Sequence, residues 1–118
     1  MIRVTIERTL SGVVSAYVVD GHAQYDEPGK DIVCASASAI AVGTYNAIES
    51  LLGLKPKYEM RKGYMRVDLT GLLLDADEAR ERLNLLLESM IVMIRTIEQS
   101  YGDYITVSDN DTYSKEAD

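Results

Sequence analysis

A chain of 118 residues with a single cysteine suits one domain, which at that size buries about two-thirds of its unfolded surface and needs neither disulfide nor metal to hold a core. The net charge of −7 argues against non-specific binding to nucleic acid or to an anionic membrane, and is compatible with a cationic partner. Hydrophobic residues make up 47% with no Phe and no Trp, which predicts an aliphatic core, and one Cys gives no sign of an oxidising compartment.

In MIRVTIERTLSG, Ile2, Val4 and Ile6 alternate with Arg3, Thr5 and Glu7, the period of a half-buried strand. Charges run through this segment, so it lacks the apolar stretch of a signal peptide. No stretch reads as the roughly 20 apolar residues of a membrane span, and a cytoplasmic protein is expected. Leu10-Ser11-Gly12 reads as a turn, and the β-branched run at 13–20 as a second strand that closes a hairpin. Residues 21–30 hold two Gly and one Pro among polar residues and read as a loop. Asp31 then has the chemistry of a helix N-cap. A helix is predicted over 32–52, with Gly53 and Pro56 marking its end. Its many small residues suggest burial or a close neighbour.

Residues 57–69 predict a second hairpin with Lys62-Gly63 at its turn. A second helix is expected to start at Asp75, with Asp77 and Glu78 in its first turn, where they favour the dipole. Leu83, Leu86, Leu87, Met90, Ile94 and Ile97 fall on one face, and Leu85, Ile91, Val92 and Met93 widen it. So broad an apolar arc exceeds what one sheet covers, and its surplus is expected to meet the first helix or another subunit. Gly102 ends this helix, 103–108 form a last strand, and 109–118 read as an acidic, disordered tail. The class is α+β: a single domain over 1–108 in ββαββαβ order, with two helices packed on a mainly antiparallel sheet.

Residues 21–38, GHAQYDEPGKDIVCASAS, contain the only histidine and the only cysteine. With Asp31 as the N-cap, Cys34 lies in the first helical turn, near the positive end of the dipole. That environment favours a thiolate, the form that attacks a carbonyl. N–H groups at the same helix end are candidates to receive an oxyanion. His22 leaves the second strand, and the loop that follows returns the chain to Cys34, which suits a general base. Gly21 and Gly29 are the candidate hinges of that loop. Ser38 falls one turn beyond Cys34, on the same face. Each residue also has a plain structural reading: Cys34 as a small core residue, His22 as a surface donor, Asp31 as a cap and nothing more, Ser38 bonded to its own backbone. Spacing leaves both readings open. One His and one Cys fall short of a zinc site's three or four ligands, so no metal and no cofactor is expected. A redox-sensing thiol would lack a resolving Cys in the same chain.

GHA, an irregular loop, and then G-K-DIVCASASA together resemble the ribosomal-processing cysteine proteases, and YNAIESL and IRTIEQSYGDYITV extend the resemblance over nearly the whole chain. It implies a small dimeric endopeptidase that removes an N-terminal extension from the twenty-seventh protein of the large ribosomal subunit. His22 then aligns with the family's catalytic histidine and Cys34 with its nucleophile, while Asp31 and Ser38 fall on other motif positions that matter for the site. The implied partners are a ribosomal-protein precursor with a basic N-terminal region and a second copy of the chain, with no direct nucleic acid and no membrane. The resemblance also implies an apolar pocket near the loop. The other reading is a non-catalytic module that grips a basic peptide.

Overall fold

The computed structural model describes residues 1–22 and 31–109. Five strands and two helices follow in the expected order: β1 (Ile2–Arg8), β2 (Val14–Gly21), α1 (Ile32–Leu52), β3 (Lys57–Arg61), β4 (Tyr64–Asp68), α2 (Asp77–Tyr101) and β5 (Ile105–Asp109). They form an α+β domain with one mixed sheet in the order β3-β4-β2-β1-β5. Hairpin neighbours and the β2–β4 pair run antiparallel, and only β1 and β5 are parallel.

The period-two pattern dictates which face is covered. Ile2, Val4 and Ile6 stand opposite Gly21, Val19 and Tyr17, which places all six on one side of the sheet. Met65, Val67, Ile105 and Val107 continue that side across β4 and β5. Both helices pack there, and the other side carries charged residues such as Glu7, paired with Arg66 at 2.8 Å. The core is not wholly aliphatic. Tyr17 is among its largest fully buried side chains, and its hydroxyl donates to the Ala41 carbonyl of α1 at 2.9 Å. A buried ring is tolerated there because its polar tip has a partner.

Helix α1 begins and ends where its caps require. Asp31 Oδ1 accepts from the Val33 and Cys34 amides, both at 3.0 Å. Gly53 adopts φ 67° and returns its N–H to the Glu49 carbonyl at 2.9 Å. By length and composition alone α1 is apolar enough to cross a membrane, which corrects the expectation that no segment is. The stripe Val33, Ala37, Ala41, Thr44 and Ile48 is instead buried within the domain. Helix α2 starts at Asp77, two residues later than expected, and its N-cap Ala76 makes no side-chain capping bond, so Asp77 and Glu78 in the first turn are what favour its dipole. Strand β5 extends through Asp109, one residue past its expected end; the rest of the expected tail, 110–118, lies outside the described residues.

Candidate active site

The end of β2, the start of α1 and the β3–β4 turn meet around a cavity of about 180 Å³. His22, Cys34 and Ser38 all line it, as does Gly21. Gly29 lies outside the described residues.

Cys34 owes its place to the helix start. Asp31 caps α1, which fixes Cys34 in the first turn, half-buried. Ser38 and Val42 follow at four-residue steps and line the same cavity. Three amides at the helix end are already engaged by Asp31. Asp31 Oδ1 takes the Val33 and Cys34 N–H groups, and the Asp31 carbonyl takes that of Ala35 at 3.1 Å. The dipole still favours negative charge at Cys34, while the Asp31 carboxylate opposes it.

His22 is held by backbone on both sides. Gly21 has φ 97°, and a Cβ there would stand 2.3 Å from the Met1 carbonyl oxygen, so only glycine allows the approach. The Met1 ammonium donates to the His22 carbonyl at 2.5 Å. On the other side, the Gly21 amide donates to the Gly63 carbonyl at 2.8 Å. The imidazole then lies directly on Gly63: a Cβ there would stand 2.6 Å from His22 Nε2. Gly63 also has φ 75°, so both its backbone and its surroundings demand glycine.

In the sequence Gly63 reads only as a turn residue. Its contact with His22 is long-range, and no local pattern reports such a contact. The cavity walls were equally hidden. Ile2, Val42, Met60 and Met65 supply apolar surface from four separate elements. At the rim the Arg61 guanidinium lies 4.0 Å from the Tyr64 ring centroid, a cation–π contact. Among the described residues no group of three or more His, Cys, Asp and Glu is arranged to hold a metal. A half-buried thiol and an imidazole beside an apolar hollow suit nucleophilic attack on an acyl group.

Residues 1–106 match the family described as cysteine protease Prp. The ribosomal processing cysteine protease Prp of Bacillus subtilis is 36% identical over 112 residues, which cover 93% of this chain and 98% of the relative. A solved structure of the essential ribosomal processing protease Prp from Staphylococcus aureus, with a covalently linked product peptide, superposes with a TM-score of 0.82. It is 33% identical, covering 93% of this chain and 100% of that one. The same protease with a substrate peptide gives a TM-score of 0.76 at 32% identity, again covering 93% and 100%.

Proposed function

The chain belongs to the cysteine protease Prp family, and from that premise we propose that it removes the N-terminal extension of the twenty-seventh protein of the large ribosomal subunit, with Cys34 as nucleophile and His22 as general base. The observation that carries this reading is the meeting of His22 and Cys34, from different elements, at one apolar-walled cavity. Cys34 Sγ attacks the scissile carbonyl carbon as His22 takes the thiol proton. The tetrahedral intermediate collapses to a thioester, and His22 returns the proton to the departing amine. His22 then draws a proton from water, whose oxygen attacks the thioester and frees Cys34. Asp31 positions Cys34 by capping α1, and Ser38 faces the bound chain one turn further along.

The wider properties follow from charge and surface. A chain of net charge −7 attracts a basic ribosomal-protein N-terminus and suits work in the cytoplasm. The outer face of the helix layer carries an apolar groove of about 310 Å³ between α1 and α2, which includes Ala39, Gly43, Leu86 and Met93. That groove is assigned to a homodimer contact, to which Leu85 and Val92, also exposed on α2, would add apolar surface.

The test is a peptide spanning the extension, incubated with the wild-type chain, Cys34→Ala and His22→Ala, with products read by mass. A single cut by the wild type, none by Cys34→Ala, and turnover lowered at least about a hundredfold in His22→Ala are expected. A cut by Cys34→Ala overturns the nucleophile assignment. A peptide bound but left intact by all three would mark a non-catalytic binding module.

A further inference from the structure

Among the described residues, strand β3 lies at the edge of the sheet with β4 on one side only, and all five of its residues are exposed. The hairpin turn is two residues long, so Arg61 and Tyr64, which flank it, form a hydrogen-bonded pair. Pairing alternates along an antiparallel ladder, which makes Glu59 with Arg66 and Lys57 with Asp68 the next bonded pairs. Tyr58 and Met60 therefore turn their backbone N–H and C=O groups outward, away from β4. An open edge with apolar residues invites another chain to pair, and proteins ordinarily blunt such edges.

This edge adjoins the site. Met60 and Arg61 line the cavity that holds His22 and Cys34. The Tyr58 and Met60 side chains, 60% and 49% exposed, lie on the helix-facing side of the sheet. Tyr58 meets Tyr45 of α1 edge-to-face, with centroids 5.0 Å apart. Cys34, Ser38, Val42 and Tyr45 descend one side of α1 opposite β3. At about 1.5 Å per helical residue the step from Cys34 to Tyr45 spans roughly 16 Å, the length of about five extended residues.

Resting on the peptidase reading, we propose that the substrate polypeptide binds as an added strand on the free edge of β3, its backbone pairing with Tyr58 and Met60 and its alternate side chains entering the trough between β3 and α1. Main-chain pairing holds the substrate extended and in register with Cys34, and the apolar trough selects the side chains that enter it.

Two measurements on the Cys34→Ala chain test this without requiring turnover. In the first, the extension peptide is N-methylated one residue at a time and its affinity measured. Two positions separated by one residue should each weaken binding about three- to tenfold, the value of one hydrogen bond, while the position between them is tolerated. In the second, amide exchange is followed with and without saturating peptide. The Tyr58 and Met60 amides should slow on binding, while the Glu59 amide, already paired with β4, should not. Absence of binding, losses without alternation, or unchanged exchange at Tyr58 and Met60 overturns the proposal. Cleavage of the unmodified peptide by the wild-type chain is read separately, so a failed peptidase reading is told apart from a misplaced strand.

Discussion

Gly63 shows how a residue with no reactive group of its own shapes the site. It is the floor on which the His22 ring rests, and no side chain fits between them. Gly63→Ala must push the imidazole aside, and small misplacements of a catalytic group cost up to about a hundredfold in rate. The expected outcome is a fall in kcat of tenfold or more, of that same order-of-magnitude origin, with KM little changed. Gly71→Ala is the matched control, because Gly71 also has positive φ, 81°, but no atom lies within 4 Å of its Cβ position. Both substitutions carry a backbone cost of about 1–3 kcal/mol. Equal turnover in the two variants would remove the positioning role from Gly63. Asp31 is the opposite case. Its capping role was legible because a carboxylate just before an apolar helical run reports on its own neighbours.

At the scale of elements, the last strand is tied down by charge. Arg8, at the end of β1, gives Nε and one terminal nitrogen to Asp109 at 2.7 and 2.8 Å. Its remaining donors reach Glu88 of α2 at 2.6 and 3.1 Å and the Gly12 carbonyl at 2.7 Å. One guanidinium thus joins β1, its turn, α2 and β5. The hydrogen bonds from Arg8 hold the Asp109 carboxyl below the usual carboxylate range. A lowered folded pKa means that the unfolded chain binds more protons in acid. This stabilisation is therefore full above the ordinary carboxylate value, about 3.9, and is lost as pH falls from there through the lowered one. Asp109→Asn should cost on the order of 2 kcal/mol at pH 7, between the exposed and fully buried cases. Its thermal midpoint should also fall less than the wild type's between pH 7 and pH 3. Parallel acid sensitivity in the two chains would mean that Asp109 is not the group being titrated. Nothing local in the sequence announced this knot, since Arg8, Glu88 and Asp109 look like ordinary solvated charges.

For the whole molecule, the apolar groove between α1 and α2 bears on assembly. Met93, 44% exposed, stands at that groove, so under the proposed homodimer the wild type should sediment as a dimer and Met93→Glu as a monomer, with the circular dichroism spectrum retained. A monomeric wild type would overturn the proposed dimer, and a dimeric Met93→Glu would place its surface elsewhere. By itself the sequence determined the element order, both hairpin turns, the bounds of α1 and the pairing of a thiol with a helix start, because these depend on residues within a few positions of one another. It also contained the motif by which family membership was legible. The tertiary structure alone decided the sheet order, the parallel β1–β5 pair, the burial of Tyr17, the cavity walls and the seat of His22 on Gly63. Those contacts join residues distant in the chain, and their energy depends on packing that no local pattern encodes.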